Sequence, residues 1–165
     1  MQNTVSRYDL IIVGSGPAGL GAAFAYRKRK GEGKILILEK EAYCTGGLRN
    51  DCKMNFTYPV GFPVEYWDED TANRYLQEVE EELQPTYLSL NNLETYKKRA
   101  QRLGVTLLPI RQSHLGTDGG KELVGALYER LTKEGVQIHF NETLCNVFPQ
   151  EQRVLTDAGT YLYKD

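Results

Sequence analysis

The stretch DLIIVGSGPAG, residues 9 to 19, places three glycines directly after a short apolar run. Gly14, Gly16 and Gly19 match G-x-G-x-x-G, a pattern that lets a backbone turn sharply and approach a pyrophosphate at the start of a helix. The helix N-terminus adds N–H groups and a partial positive charge, and Pro17 suits its first turn. These residues predict a phosphate-binding loop.

An acidic residue completes this pattern. Glu39 lies 20 residues after Gly19, at the end of the apolar run KILIL. A carboxylate at that place can accept hydrogen bonds from both ribose hydroxyls of an adenosine, and it repels a 2′-phosphate. The glycines and the acid together predict a dinucleotide site without a 2′-phosphate. From these residues, FAD and NAD both stay open.

A second glycine pair, Gly46-Gly47, follows the second apolar run within a few residues. A loop rich in backbone N–H groups at this place can reach back over the phosphates and second ribose of a cofactor. The same pair is equally typical of a plain surface turn. The residues alone leave both interpretations open.

The elements around these glycines predict a βαβ unit. The run YDLIIV (8–13) is typical of a strand buried on both faces, and a helix is expected from Pro17 to Lys30, stopped by Gly31 and Gly33. The basic run in YRKRKGEGK then forms the C-terminal end of that helix. KILILEK supplies the second strand, and the crossover is expected to be right-handed.

The rest of the chain predicts one α/β domain with a β-meander and a helical excursion. Residues 43–66 are expected to be loop-like, and Thr117-Asp118 to cap a long helix that starts near Gly119. The predicted divisions are a βαβ core at 8–48, an excursion at about 55–110, and a return helix, strand and meander at 118–163. The runs behind them are DEDTANRYLQEVEEEL and NNLETYKKRAQRLG as helices, VTLLPIRQS and VQIHF as strands, TDGGKELVGALYERLTKEG as the return helix, and TLCNVF, RVLT and TYLY as the meander.

Composition excludes several classes of function. The formal net charge is −2, which gives no electrostatic case for nucleic acid or an anionic membrane as a partner. No apolar run approaches the roughly 20 residues of a membrane span, and no secretory signal is visible. Three cysteines without a CxxC pair form neither a disulfide framework nor a zinc pattern. We therefore expect a cytoplasmic protein without a metal site.

The motifs resemble a known group of flavoproteins. The opening, with its glycine loop, acid and GG pair, is similar to the FAD domain of glutathione-reductase-like flavoproteins. More narrowly, GGLRNDCKMNF, PIRQSHLGTDGGKELVGALYERLTKEGVQIHFN and the meander resemble bacterial FAD-dependent dehydrogenases related to the HI0933-like and BaiN-like flavoproteins. The resemblance runs from about Tyr8 to the last residue. It implies a three-layer ββα FAD/NAD(P)-binding, Rossmann-like domain.

The same resemblance assigns cofactor-binding roles by position. The first glycine loop would wrap the FAD pyrophosphate, Glu39 would hold the adenosine ribose with Lys40 beside it, and backbone groups around Leu144 would lie near the adenine. The second loop would line the ribityl side. The residues concerned are Gly14, Ser15, Gly16, Pro17, Ala18, Gly19, Glu39, Lys40, Gly46, Gly47, Leu48 and Leu144. This chain departs from the family at Cys52, where a glycine is usual, and at Arg49-Asn50.

Flavoproteins of this kind close the site with a strand ending in A-x-G and a later G-D motif. This sequence contains no G-D pair and reaches its last residue within the meander. We therefore expect the chain to be the N-terminal piece of a longer protein, whose C-terminal part is its main partner. We also expect weak or no retention of FAD by this piece alone.

No residue is assigned as catalytic from the sequence. Lys53 occupies the position of the family's lysine near the flavin, and His114 is either an acid/base near the flavin or substrate or a loop histidine bonded to backbone. Arg111 is expected at the surface, with an acidic substrate as the alternative. Cys44 and Cys52 lack the C-x-x-x-x-C spacing of disulfide reductases, and Cys145 is expected to be a small core residue.

These observations predict an FAD-dependent oxidoreductase, a dehydrogenase, that transfers hydride through flavin N5 to or from a small-molecule substrate. NAD(P)H is a candidate electron donor. Two alternatives stay open, a flavin-dependent monooxygenase or hydroxylase and a non-catalytic FAD-binding module. The substrate, the oligomeric state and the electron partner are not indicated by the sequence.

Overall fold

The computed structural model describes residues 6–164. They form two compact units. Unit 1 comprises the residues up to Asp51 and those from Thr117 onward, and unit 2 is the segment Cys52–Gly116. In chain order the strands are β1 (Ser6–Arg7), β2 (Leu10–Val13), β3 (Ile35–Leu38), β4 (Lys53–Asn55), β5 (Gln112–His114), β6 (Gln137–His139), β7 (Leu144–Phe148), β8 (Arg153–Thr156) and β9 (Thr160–Leu162), and the helices are α1 (Pro17–Lys30), α2 (Gly47–Asn50), α3 (Glu69–Leu83), α4 (Leu93–Arg102) and α5 (Gly116–Lys133).

The centre of unit 1 is a parallel sheet in the order β2-β3-β6. Leu10 pairs with Ile35 and Val13 with Leu38, while β6 lies in parallel register on the other side of β3. Helix α1 connects β2 to β3, as the two apolar runs predicted. The predicted α/β class and the Rossmann-like βαβ unit are therefore confirmed.

Strand β3 is buried on both faces, because its neighbours lie in two different layers. All four of its side chains are at most 1 % exposed. Ile35 and Ile37 pack into a cluster with Leu20 of α1 and Leu131 of α5, whereas Leu36 and Leu38 pack into a second cluster. Alternate residues of a strand point to opposite faces, so β3 is the middle of a three-layer arrangement. Each such buried side chain contributes about 1.5–3 kcal/mol.

The layer opposite the helices is the predicted meander. Strands β7, β8 and β9 pair antiparallel, and β1 joins β9 in parallel at the edge. A single 3₁₀ turn, Pro149–Glu151, connects β7 to β8. Val154 of β8 lies in the second cluster with Tyr8. The predicted order of short strands is confirmed.

The ends of the predicted helices agree with the structure except at α5. Gly31, with φ of +67°, ends α1, and its N–H donates to the Arg27 carbonyl. The basic residues of the run lie in the last turn of α1, as expected. Helix α5 begins at Gly116, three residues earlier than predicted, so Thr117 and Asp118 lie in its first turn rather than before it.

Unit 2 contains the two predicted helices and a two-stranded antiparallel sheet, β4-β5. Asp68 is the N-cap of α3, and its carboxylate accepts a hydrogen bond from the Thr71 N–H at 2.8 Å. Asn92 is the N-cap of α4 but lies in the left-handed region and makes no side-chain cap. Met54 and Ser113 are paired and face the buried side of the β4-β5 sheet.

Three local predictions are wrong. Residues 105–111 are not a strand, and only Gln112–His114 pairs; Pro109 within this run cannot donate a ladder hydrogen bond. The predicted loop at 43–66 contains α2 and β4. Strand β2 is only half buried, because it pairs with β3 alone among the described strands, and Val13 is 57 % exposed.

Within the described residues, no helix has the length and apolar character needed to cross a bilayer.

Candidate functional site: two glycine loops at the carboxyl ends of β2 and β3

The first glycine loop, residues 14–19, folds tightly against β3 and the helix that follows. Gly14 has φ of +92°, a conformation that side chains disfavour, and its N–H donates to the Leu38 carbonyl at 2.8 Å. A Cβ on Gly19 would lie 2.0 Å from the Gly14 carbonyl oxygen. Gly14 is therefore required by its backbone conformation, and Gly19 by the close packing of α1 on the loop.

Gly16 differs, because neither its φ of −70° nor a close protein contact requires a glycine at this position. It is the N-cap of α1, and a Cβ there would meet nothing closer than the Gly46 Cα at 3.9 Å. Pro17 occupies the first turn of α1, which holds no acidic residue and no side-chain cap. The first-turn N–H groups and the positive end of the helix dipole are therefore available to water or to an external anion.

Glu39 lies beside this loop and is tied to it. Its Oε2 accepts hydrogen bonds from the Ser15 N–H at 2.9 Å, the Ser15 hydroxyl at 2.5 Å and the Thr45 hydroxyl at 3.1 Å. Its Oε1 accepts the Glu41 N–H at 3.0 Å. Glu39 is 3 % exposed and Ser15 is fully buried. The acid predicted to bind ribose is thus also an internal link between chain segments.

The hydrogen bonds decide the charge of Glu39. Burial by itself raises the pKa of a carboxyl, and it is the largest single influence on Glu39. The bonds from the Ser15 hydroxyl, the Glu41 and Ser15 N–H groups and the Thr45 hydroxyl together outweigh it, so the pKa of Glu39 is lowered. The side chain is therefore ionised at neutral pH and able to accept hydroxyl donors.

The second glycine loop, residues 43–47, packs directly on the first. Gly46 has φ of +102°, and a Cβ there would lie 2.7 Å from Pro17 Cδ and 2.9 Å from Gly16 Cα. The Thr45 N–H donates to the Ser15 hydroxyl at 3.2 Å. The GG pair therefore lies against the first glycine loop.

The remaining predicted residues of this region have mixed environments. Gly47 begins α2, and a Cβ there would meet nothing within 4 Å. Leu48 packs against the first cluster of unit 1. The Lys40 side chain is 71 % exposed, with its Nζ 3.9 Å from Glu41. Ala18 is an exposed residue of the first turn of α1.

A buried polar cluster at the carboxyl end of β6 was not predicted. Glu142, 5 % exposed, accepts from the Thr156 hydroxyl at 2.6 Å and lies 2.9 Å from Nδ1 of His139. The Tyr161 hydroxyl lies 3.3 Å from the same nitrogen. Burial, followed by Glu142 and then Tyr8, raises the pKa of Tyr161 to about 12. The signal for this cluster in the sequence was Glu142, an acidic residue two positions after the predicted strand VQIHF (136–140).

This cluster adjoins the Glu39 backbone. The Glu39 N–H donates to the His139 carbonyl at 2.9 Å, and the Glu142 N–H donates to the Glu39 carbonyl at 3.0 Å. Leu144, the residue expected near the adenine, begins β7 two positions later and packs on the second cluster. The structure thus brings the segment before Leu144 to the end of β3.

In unit 2, the two candidates for catalysis are cross-strand neighbours. Lys53 of β4 is the direct partner of His114 of β5 in the antiparallel ladder. Directly opposed residues point to the same face, and both are exposed, whereas the next pair, Met54 and Ser113, is buried. The structure therefore joins a lysine and an imidazole that are 61 positions apart in the sequence.

Arg111 forms an internal ion pair. Its guanidinium contacts Glu80 of α3 at 2.7 and 3.4 Å and donates to the Phe56 carbonyl at 2.9 Å. Tyr87 also donates to Glu80 and lies under the guanidinium. These contacts explain Arg111 without an acidic substrate. Trp67 likewise packs on Phe62 and Tyr75 within this unit.

The cysteines occupy different environments. Cys44 is a buried free thiol whose pKa is raised, chiefly by burial, and it lies in unit 1. Cys52 is buried in unit 2. Cys145 is exposed, so the expectation of a core residue is wrong: it lies in β7 of the meander and is not on the packed face.

Comparisons with known proteins agree with this fold. A family model described as an NAD(P)-binding Rossmann-like domain matches residues 12–79. An uncharacterized protein of Methanosarcina barkeri is 28% identical over 81 residues, which are 46% of this chain and 20% of that protein. The matched segment is thus a small part of that relative.

Solved structures share the fold over nearly the whole chain. Glycine oxidase from Geobacillus kaustophilus is 14% identical with a TM-score of 0.65, over 97% of this chain and 54% of that one. A 3-ketosteroid-Δ4-(5α)-dehydrogenase from Rhodococcus jostii is also 14% identical, with a TM-score of 0.61, over 98% of this chain and 45% of that one. NikD, an unusual amino acid oxidase, is 19% identical with a TM-score of 0.55, over 97% and 50%. The chain spans about half the length of these proteins.

Proposed function

We propose that this chain carries the ADP-binding part of an FAD site, in a protein that is an FAD-dependent oxidoreductase of the dehydrogenase type. The observation that carries the proposal is the space beside Gly16. Gly14 is required by its positive φ and Gly19 by a close contact, whereas Gly16 has φ of −70° and its Cβ would meet no close protein atom. The space beside Gly16 lies at the N-terminus of α1, which has no side-chain cap and adjoins the buried, ionised Glu39.

The residues present fit such a cofactor. The N–H groups of Ala18 and Gly19 would bind the pyrophosphate, with Gly14, Ser15, Gly16 and Pro17 completing the loop around it. Glu39 would accept from the adenosine ribose, beside Lys40. Gly46, Gly47 and Leu48 would border the ribityl chain, and the backbone at Leu144 would border the adenine.

A bound flavin would supply hydride transfer through its N5 atom. The residues of this chain would bind and orient that cofactor: the N–H groups of the first glycine loop would donate to the phosphates, and Glu39 would hold the ribose. The matched solved structures carry the names of two oxidases and a dehydrogenase, which supports redox chemistry for the whole protein. A small-molecule substrate, NAD(P)H as electron donor and a C-terminal part of the same protein as partner belong to the same proposal.

The finer family is also a proposal. The GG loop and the H-x-G-T-D segment support the bacterial dehydrogenases related to HI0933-like and BaiN-like flavoproteins. In that family, Lys53 and His114 are the residues to test for catalysis, and their pairing across β4-β5 supports a joint role. A cytoplasmic location is consistent with Cys44 being a free thiol.

The test uses protein made from the natural reading frame. We expect the purified protein to show the visible absorbance of oxidised flavin, and Gly16→Ala to weaken FAD binding about tenfold or more, because the added methyl group occupies the space for the pyrophosphate. The fold should tolerate this methyl group, because apart from the adjacent residues its nearest protein atom is 3.9 Å away. Gly125→Ala on α5, where a Cβ meets nothing within 4 Å, is the matched control.

Absence of flavin binding in the wild-type protein, or full binding by Gly16→Ala, would contradict the proposal. Reaction of the reduced protein with O₂ separates the enzyme classes. Slow reoxidation is expected for a dehydrogenase, and rapid reoxidation would favour a monooxygenase or oxidase.

A further inference from the structure

We infer that Ser15 and Thr45 are positioning residues, which hold Oε2 of Glu39 inside the protein and leave Oε1 as the single acceptor for an adenosine ribose with a free 2′-hydroxyl. This inference rests on the proposed function. It adds two side chains that the glycine pattern does not assign. It also states which oxygen of Glu39 meets the nucleotide.

The two oxygens of Glu39 have different numbers of partners. Oε2 accepts three donors, from the Ser15 N–H, the Ser15 hydroxyl and the Thr45 hydroxyl. Among the described residues, the only donor to Oε1 is the Glu41 N–H. A carboxylate offers about four acceptor positions over its two oxygens. Oε2 is therefore saturated, and Oε1 can accept one further donor.

The Ser15 hydroxyl has a defined direction. It accepts the Thr45 N–H at 3.2 Å and donates to Glu39 at 2.5 Å. The chain of bonds therefore runs from Thr45 through Ser15 to the carboxylate. Because such chains polarise their members, each bond strengthens the next.

These bonds join three segments that are distant in sequence. Ser15 is 24 positions from Glu39 and 30 from Thr45. The first glycine loop, the end of β3 and the second glycine loop are thereby fixed relative to one another. Since Glu39 is only 3 % exposed, a small displacement of its carboxylate would remove Oε1 from reach.

The same bonds keep the acceptor ionised. The Ser15 and Thr45 hydroxyls are among the groups that lower the pKa of Glu39 against the effect of burial. Without either hydroxyl, the carboxyl would take up a proton at higher pH. Nucleotide binding would then be lost at a higher pH as the solution is acidified, and repulsion of a 2′-phosphate would weaken.

Other titratable groups lie on the elements packed against Glu39. They are Cys44 of the second glycine loop, Lys40 and Glu41 after β3, and His139 and Glu142 after β6. Among the described residues, the Thr45 hydroxyl donates to Glu39 and to none of these groups. A shift in the pH dependence of Thr45→Val is therefore attributable to Glu39.

The experiment measures binding of ADP and of 2′-phospho-ADP by calorimetry, across the acidic pH range, with protein made from the natural reading frame. ADP needs no flavin chemistry for its readout. We expect Thr45→Val and Ser15→Ala each to weaken ADP binding about tenfold, to reduce the preference over 2′-phospho-ADP, and to move the pH of binding loss upward. Thr45→Ser, which keeps the hydroxyl, should restore all three.

The matched control is Thr132→Val on α5, which removes a hydroxyl bonded only to the Tyr128 carbonyl among the described residues. It should bind as wild type. Unchanged binding and pH dependence in Thr45→Val would overturn the inference, as would weakened binding with an unchanged pH dependence, which indicates a purely structural role. Failure of the wild type to bind ADP would overturn the proposed function and the inference together. Should Ser15→Ala not fold, the Thr45→Val and Thr45→Ser pair decides the outcome.

Discussion

Unit 1 and unit 2 differ in how they bury their apolar side chains. Both core clusters lie in unit 1, where β3 contributes side chains to each. In unit 2, α4 buries no residue, and large apolar side chains such as Leu103, Leu88 and Tyr66 are at least half exposed. Unit 1 thus carries the packing that shapes the glycine loops, whereas unit 2 combines a smaller set of buried apolar side chains, such as Phe56 and Ala72, with ion-pair and aromatic contacts.

The largest expected effect is in the packing of α1 against β2 and β3. Gly19→Ala places a methyl carbon 2.0 Å from the Gly14 carbonyl oxygen, so the helix must move away from the strand. We expect a loss of at least about 3 kcal/mol in the free energy of unfolding. Gly21→Ala on the same helix, where a Cβ meets nothing within 4 Å, should be neutral or stabilise by up to about 1 kcal/mol. Urea unfolding of both variants makes the measurement.

Truncation of a buried leucine of unit 1 and an exposed leucine of unit 2 tests the difference in their burial. Leu20 is 2 % exposed in the first cluster, and Leu103 is 79 % exposed at the end of α4. Leu20→Ala should cost about 2–5 kcal/mol, because it leaves a cavity. Leu103→Ala should cost less than about 0.5 kcal/mol. Equal losses in thermal unfolding would contradict the difference in burial between these two leucines.

The ion pair between Arg111 and Glu80 in unit 2 predicts a smaller effect on stability. Arg111→Lys keeps the charge but loses the two-point contact with Glu80 and the bond to Phe56. Because Arg111 is half exposed, we expect a loss of only about 1 kcal/mol. Faster hydrogen exchange in peptides from residues 52–116 would report it. Arg102→Lys on the exposed last turn of α4 is the control. A comparable increase in hydrogen exchange in that variant would argue against a stabilising role of the Arg111–Glu80 ion pair.

The smallest effect is a difference in acid sensitivity between the units. The pKa of Glu39 in unit 1 is lowered from 4.5, despite burial, by its hydrogen bonds. That of Asp68 in unit 2 is lowered chiefly by the Thr71 N–H. Since the unfolded chain binds the proton first, stability is present above the ordinary pKa and is lost as pH falls through the native one.

Glu39→Gln should therefore flatten the decline in unfolding free energy below pH 4.5 more than Asp68→Asn, because water screens the exposed Asp68. Chemical unfolding of both variants at a series of acidic pH values measures this decline in the free energy of unfolding. A steeper decline in Glu39→Gln, or no difference between the two variants, would contradict the burial argument.

The sequence by itself determined the local elements of this protein. The apolar runs predicted β2 and β3, and the helix bounds at Pro17 and Lys30 follow from proline, apolar spacing and glycine. The glycine pattern also located the first loop correctly. Such features depend on the conformational preferences of neighbouring residues and on periodicity, which are properties of short segments. The prediction of a strand at residues 105–111 was wrong, because the apolar content of a segment does not show whether another strand pairs with it.

Only the tertiary structure decided how the site is assembled. It brought Thr45 and Ser15 onto one oxygen of Glu39, set Gly46 against Pro17, and enclosed Glu142 beside the end of β3. These contacts join residues that are far apart in sequence, and each depends on the packing of whole layers. A hydroxyl or carboxylate has no preference that identifies its distant partner, because the partner is selected by the burial that folding creates.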